Sequence, residues 1–537
     1  MPRIRSQGDC SDRRRRGSFT SVWQACGPHG PAKVDMAAKT PKTSRYTEVE
    51  RKFEVAEPDS AESTVSPSFD GLSAVARVER LPVQQLDAVY FDTPGLDLAA
   101  HRITLRRRTG GTDAGWHLKL PAGPDARTEV RAPLDGAENE VPDELRDVVL
   151  AIVRDRPLAP VARISTRRTV DLLHGPAGDA VAEFCDDEVT ASAEGGEEQR
   201  WREWELELTG AGDAKLLDRL TNRLLDAGAS PAGHGSKLGR VLDTGQPDDE
   251  VKTHTEDPVR RAVAEQVEQL VEWDRAVRAD VEDSVHQMRV TTRKIRSLLQ
   301  SAEGVFGISD DAWVLDELRQ LAAVLGVARD AEVLAERYAN ALDGLAPEMV
   351  RGPVRERLVE GAKRRYQSGW KRSLIAMRSQ RYFRLLDALD GLVAAEPPGT
   401  GPGEEPKPTT IDSAYKRVRK AARKAAAAAD TEADEALHRI RKGAKRLRYT
   451  AAATGKAKVS ERAKAIQSLL GDHQDSVVSR THLLHESEAA HAAGEDTFTY
   501  GLLYQMEFDA AEQSRAQVDG ALRKLDKSVR KARKKDK

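Results

Sequence analysis

The chain has 537 residues, 39% hydrophobic, 32% charged and only 5% aromatic, which describes a soluble, charge-rich protein with room for two to three folding units. No apolar stretch approaches the roughly 20 residues that span a bilayer, and Cys10, Cys26 and Cys185 lie too far apart for a disulfide framework or a structural zinc. The 85 basic and 87 acidic residues give a net charge of -2, but the signs are segregated along the sequence, and segregation decides which partners each part attracts.

Residues 1–44 read as a disordered basic extension. Arg13 to Arg16 form a cationic run, and no apolar segment follows as a secretory signal would require. The patternless leader ends at Met36, the candidate native start, which peptide mapping of the amino terminus would check.

Residues 45–242 carry short segments alternating at period two, among them TEVERKFEV, ITLRRR, GWHLKL, AVAEFCDD and REWELEL, broken by Gly, Pro and Asp clusters. That pattern predicts antiparallel strands with two unlike faces. Helical patterns interrupt near Asp143 to Arg154 and at Ala214 to Ala227. Residues 243–257 form a polar linker, and from 258 to 523 the spacing becomes helical. PPGTGPGEEPKP, within a predicted loop at 394–410, splits this part into 258–393 and 411–523. Residues 524–537 read as a basic tail. The expected class is α+β: an N-terminal antiparallel β-barrel followed by an all-α, duplicated helical bundle.

The duplication is visible in the residues. VHQMRVTTRKIRSLL from Val285 aligns without gaps on LHRIRKGAKRLRYTA from Leu437, matching His286 to His438 and Arg289 to Arg441. LGVARD ending at Asp330 matches LGDHQD ending at Asp475. At about 100° per residue, His286, Arg289, Arg293 and Arg296 fall within an arc of roughly 80°, opposite Met288, Ile295 and Leu299. His438, Arg441, Lys445 and Arg448 repeat the strip, opposite Ile440, Leu447 and Ala451. A charge run on one helix is ordinarily a solvated face. Two matched strips of mutually repelling cations are better explained by a bound polyanion, and the Arg and Lys neighbours argue against a metal at the histidines.

These H-x-x-R-x-x-x-[RK]-[RK]-x-R helices, each followed by L-G-x-x-x-D, resemble the CHAD domain, the conserved-histidine α-helical domain, over about Pro258 to Arg523. The resemblance implies a basic central groove that binds inorganic polyphosphate through the eight strip residues.

In the β-region Glu48, Glu50 and Lys52 share one strand face while Val49, Phe53 and Val55 share the other. Arg106 with Arg108, His117 with Lys119, and Glu203, Glu205 and Glu207 alternate similarly. Charged-out and apolar-in is the ordinary half-exposed sheet. The mixture of signs raises the alternative of a barrel with its charged face inward, whose carboxylates suit Mg²⁺ or Mn²⁺ and whose cations suit phosphate oxygens.

This segment resembles the CYTH family, the triphosphate tunnel metalloenzymes, with the opening motif E-x-E-x-K at Glu48, Glu50 and Lys52 and further family-like positions in order to Lys237. The resemblance implies a catalytic opening motif of Glu48, Glu50 and Lys52. It also implies a metal site of Glu48, Glu50, Glu205, Glu207 and Asp187, and triphosphate contacts from Lys52, Arg106, Arg108, Lys119, Arg167 and Lys237. Asp187 is taken over Asp186 by parity with Glu183, and Arg163 and Arg168 lie close enough to Arg167 for a shifted register. The expected function is metal-dependent hydrolysis of inorganic triphosphate or short polyphosphate, with polyphosphate held by the helices. A non-catalytic, granule-associated polyphosphate scaffold is the alternative. A nucleic-acid binder fits less well, because the basic helices lack interleaved aromatics. No membrane partner is expected, and the expected location is the cytoplasm or its polyphosphate granules.

Overall fold

The computed structural model describes residues 44–56, 66–123, 125–210, 212–243, 258–301, 306, 312–395, 411–427 and 433–535. All but the last residue of the predicted extension, Met36 included, nearly all of the predicted linker and most of the 394–410 loop lie outside them.

Eight strands close into an antiparallel barrel: β1 (Ser44–Val55), β3 (Gln84–Asp92), β4 (Thr104–Thr109), β5 (Gly115–Pro121), β6 (Ala126–Ala132), β7 (Ala159–His174), β8 (Ala180–Ala193) and β9 (Glu198–Leu208). Their order is β1-β6-β5-β4-β3-β7-β8-β9, with β9 returning to β1, while β2 (Arg77–Arg80) pairs with β7 and β10 (Ser230–Pro231) with β1. Strand β1 makes the closure: residues 44–49 pair with β6 and residues 50–55 with β9. The turn from β4 to β5 needs glycine, because Gly110 has φ +78° and a Cβ there would stand 2.0 Å from the Gln85 carbonyl oxygen.

The barrel is apolar outside and charged inside. Phe53, Phe184, Trp204 and Leu206 pack outward against Leu216, Leu217, Leu220 and Leu224 of the helix Ala214–Asp226. Asp213 caps that helix by accepting from the Leu216 amide at 2.8 Å. On the other side Phe91, Leu105, Trp116 and Leu118 form one cluster with the short helices Asp143–Val148 and Leu150–Val153 and with Val263, Val267 and Leu270 of Pro258–Arg278. Barrel and helices therefore share a core. Ion pairs stitch its edge: Arg154 to Asp387 at 2.7 Å and to Asp390, and Arg378 to Asp147.

The helical part contains Ser284–Ser301 (α1), Trp313–Asp343 (α2), Gly361–Met377 (α3), Gln380–Ala394 (α4), Ile411–Ala426 (α5), Ala433–Ala453 (α6), Ala457–Ala492 (α7) and Phe498–Lys535 (α8). The predicted buried faces hold: Met288, Ile295 and Leu299 on α1, and Ile440, Leu447 and Ala451 on α6, are buried. The predicted basic tail is corrected. Helix α8 runs through it, because Leu525 and Val529 are spaced four apart and bury into the second helical core beside Val418 and Ile466.

Candidate active site and phosphate groove

The barrel encloses a cavity of about 340 Å³, lined by eight basic side chains and six carboxylates. Strand pairing fixes the charge pattern. Glu50 stands opposite Glu207, and Lys52 opposite Glu205, across the β1–β9 seam. Arg106 and Arg108 come from β4, Lys119 from β5 and Arg168 from β7, so cations face the acidic seam from the far wall.

Ion pairs run along the seam and reach it from β5. Lys52 Nζ reaches Glu205 and lies 3.2 Å from Glu50, while Lys119 Nζ touches Glu48 and lies 3.7 Å from Glu50. Burial works against ionising Glu50, but Lys52 and Lys119 outweigh it and bring its pKa down to about 2. Glu205 is held well below the carboxylate range against the same burial by Lys237, Lys52 and Arg168. Glu207 goes the other way: burial and then the like charge of Glu48 push it up to about 7. Arg108 is lowered to about 10 by burial and the neighbouring Arg106. The cavity thus holds a carboxylate without enough counter-charge and a guanidinium without enough anion.

Lys237 enters from a short helix, Lys237–Val241, capped by Ser236, whose Oγ accepts from the Gly239 amide. Its Nζ lies 2.9 Å from Asp187, 2.6 Å from Glu203 and 2.8 Å from Glu205. Asp187, Glu203 and Glu205 have carboxylate oxygens within 4.8 Å of one another and could hold a metal ion. Asp187 and Glu203 already have Arg168, Lys237 and the Trp201 indole N–H as partners. Glu48, Glu50, Glu205 and Glu207 face the cavity itself. Hard oxygen donors crowded enough to raise one of their own pKa values fit a divalent cation such as Mg²⁺ or Mn²⁺.

Asp187 is fully buried on the inward face, paired with Arg168 and Lys237, whereas Asp186 pairs outside with Arg202 at 2.6 Å. Arg167 is corrected. It is exposed and pairs with Glu188 at 3.0 Å, while Arg168 enters the cavity and binds Asp187 and Glu205. The inward face of β7 also carries Ile164 and Val170, so no contrast between charged and apolar residues marks the register. Arg131 and Glu203 were missed as site residues. Arg131 shares a face with Arg127 and Glu129, and that parity was a usable signal. Its guanidinium lies 4.4 Å from the Tyr46 ring centroid and pairs with Glu129. Glu129, fully buried, also accepts from the Tyr46 hydroxyl and bonds His117 Nδ1 at 2.9 Å.

In the helical part α1 and α6 bring the two strips together. Lys445 lies in the field of Arg293, Arg441, Arg289 and Arg296, and burial plus these cations lower its pKa to about 7. Arg293 is lowered by burial and Arg289, and His286 and His438 are lowered by burial and neighbouring cations. The strips are held by equivalent contacts nineteen residues on: Arg296 Nε donates to the Leu315 carbonyl at 3.2 Å, and Arg448 Nη1 to Gln467 Oε1 at 3.3 Å. Arg289 pairs with Asp330 at 3.2 Å, and Arg441 is the cation that acts most strongly on Asp475, whose pKa burial raises. The first L-G-x-x-x-D segment thus anchors the first arginine of its strip, and the second sets a carboxylate in the field of Arg441.

A CYTH domain model matches residues 46–228 and a CHAD domain model residues 261–484. The uncharacterized protein Rv2226 of Mycobacterium tuberculosis (strain H37Rv) is 65% identical over 518 residues, 93% of this chain and 100% of its own length. The chain belongs to the proteins that join a CYTH domain to a CHAD domain. PptA from Streptomyces chartreusis is similar over 50% of this chain and 98% of its own, at 18% identity and a TM-score of 0.41. The CHAD domain from the plant Ricinus communis is similar over 50% of this chain and 90% of its own, at 21% identity and a TM-score of 0.38. CYTH domains are typically triphosphate tunnel metalloenzymes, and the two domains together support a triphosphate- or polyphosphate-related function. Among the described residues no helix is long and apolar enough to cross a membrane.

Proposed function

We propose that the CYTH barrel hydrolyses inorganic triphosphate or short polyphosphate and that the CHAD groove binds polyphosphate. The observation that carries this reading is the partition of charge in one closed cavity: an acidic seam of Glu48, Glu50, Glu205 and Glu207 facing a wall of Arg106, Arg108, Lys119 and Arg168. The basic wall would bind the phosphate oxygens and fix the chain in line. Lys52, directed by Glu50 and Glu205, would hold the phosphoryl group at the seam. Lys237 would sit beside Lys52, sharing Glu205 with it and oriented by Asp187 and Glu203.

The four seam carboxylates would hold Mg²⁺ or Mn²⁺, which when bound supplies Lewis-acid polarisation of the phosphoryl group. In the groove His286, Arg289, Arg293 and Arg296 would face His438, Arg441, Lys445 and Arg448 across a polyphosphate chain, whose charges offset the repulsion between the strips.

The test is phosphate release from tripolyphosphate with Mg²⁺ or Mn²⁺, comparing the full chain with a Glu48→Ala, Glu50→Ala variant whose thermal unfolding is checked. Release by the native chain alone is expected. Equal rates, or none in either, would sink the enzymatic reading and favour a binding scaffold.

A further inference from the structure

Outside the groove, α5 and the last turns of α8 form a second basic surface. They pack through Tyr415, Val418, Leu525 and Val529, the Tyr415 hydroxyl donates to Asp526, and Arg533 lies 5.4 Å from the Tyr415 ring centroid. This leaves their outer faces adjacent. Lys416, Arg417, Arg419, Lys420, Arg423 and Lys424 of α5 are all exposed, and Arg530 and Arg533, on the flank of α8 that meets Tyr415 and Asp412, are exposed beside them. None of the six α5 cations has an acidic partner among the described residues, and Asp412 and Asp526 are already engaged by Arg533 and Arg530. An ordinary solvated face intersperses both signs; this one does not.

The surface is continuous with the groove. On α6, at about 100° per residue, Lys442, Arg446 and Arg439 occupy the arc leading from the His438–Arg448 strip round to Gly443. All three are exposed, and Arg439 shares its charge with Glu435. Gly443 sits against α5, where a Cβ would stand 3.2 Å from Val418 Cγ2. Positive charge therefore runs from the strip, over the flank of α6, onto the α5–α8 ridge.

The chemistry of the ridge selects its partner. Its one aromatic, Tyr415, is buried, so nothing stacks on a base. No large apolar side chain is exposed among the described residues of α5 or beyond Val518 in α8, so nothing inserts into a bilayer. What remains is a track for bare, closely spaced phosphates. We infer that the α5–α8 ridge binds the portion of a long inorganic polyphosphate chain that emerges from the CHAD groove; the inference rests on the groove reading above.

The test uses the full chain carrying Lys416→Gln, Arg419→Gln, Lys420→Gln and Arg423→Gln, all at exposed positions, with circular dichroism confirming the fold. Long-chain polyphosphate should bind about tenfold more weakly, with a shallower dependence of log K on log salt, because fewer counterions are released. Binding of a chain short enough to stay in the groove, and phosphate release from tripolyphosphate, should not change. Unchanged long-chain affinity, or equal losses for both lengths, overturns the inference. So does displacement of long-chain polyphosphate by single-stranded RNA at equal phosphate concentration. The Arg289→Gln, Arg441→Gln variant separates the two claims, since it should weaken both lengths if the groove reading holds, whatever the ridge does.

Discussion

Gly326 lies directly beneath the guanidinium of Arg289: a Cβ at that position would stand 3.2 Å from Nη2. The second repeat reproduces the relationship, with Gly471 3.4 Å from Arg441 Nη2 by the same construction. The glycine of each L-G-x-x-x-D segment thus makes room for the first arginine of the strip, and in the first repeat Asp330, one turn on, anchors it.

A Gly326→Ala, Gly471→Ala variant should therefore bind polyphosphate several-fold more weakly. Alanine favours a helix interior by roughly 0.5–1 kcal/mol over glycine, and the displaced atoms are ends of flexible side chains, so the melting temperature should hold or rise. Titration calorimetry and thermal unfolding read the two effects separately. Weaker binding accompanied by a lower melting temperature would point to simple misfolding.

Arg167 and Arg168 should differ sharply although they are neighbours. Arg168→Gln removes one of two cations paired with fully buried Asp187 and one of three paired with Glu205, which should cost about 3 kcal/mol, the low end for a broken buried pair because Lys237 remains, and abolish triphosphate turnover. Arg167→Gln breaks an exposed pair with Glu188 and should cost under about 1 kcal/mol with turnover intact. Denaturant melts and phosphate-release rates of the two variants check both halves; similar behaviour would contradict the register of β7.

Lys445 should make polyphosphate binding proton-linked. Burial first, then four nearby arginines, bring its pKa down to about 7. The folded value lies below the unfolded one, so the charged form strains the fold below pH 7. Stability from this group grows as pH rises from about 7 toward the unfolded value. A bound polyanion cancels the arginine field and returns the proton, so binding at about pH 8 should take up protons and weaken as pH rises. Calorimetry in two buffers of unlike ionisation enthalpy measures the uptake, and Lys445→Met should remove it. Identical heats in the two buffers with the native chain would refute the linkage.

Arg154→Ala should lower stability by about 1–2 kcal/mol, since its partners Asp387 and Asp390 remain half-exposed and can be rehydrated. Because the barrel and the first helices share a hydrophobic cluster, unfolding should remain a single transition. Two separated transitions in the native chain would contradict a common core.

Much of this was legible in the residues. The helical repeats announced themselves because every strip cation lies opposite an apolar residue at helical spacing, and α1 and α6 bury the predicted faces. The barrel was readable as alternation, and the face of Asp187 by parity. Arg168 was not, because β7 turns Ile164 and Val170 inward as well, which erases the contrast that sets register. Glu203 was on the right face by its alternation with Glu205 and Glu207, but no role was assigned to it because its partners, Trp201 Nε1 and Lys237, meet it only once the barrel closes. The end of α8 was read as a tail because its cations outnumber the two apolar residues, Leu525 and Val529, that seat it.

Phe91, Leu105, Trp116 and Leu118 on the barrel wall bury against Val263, Val267 and Leu270, so the peptide bonds joining the halves carry little of the burden of keeping them together. A chain nicked anywhere between Asp243 and Pro258 should still elute as one particle of undiminished mass. The barrel expressed by itself should come out sticky, displaying as bare surface what the whole molecule treats as interior.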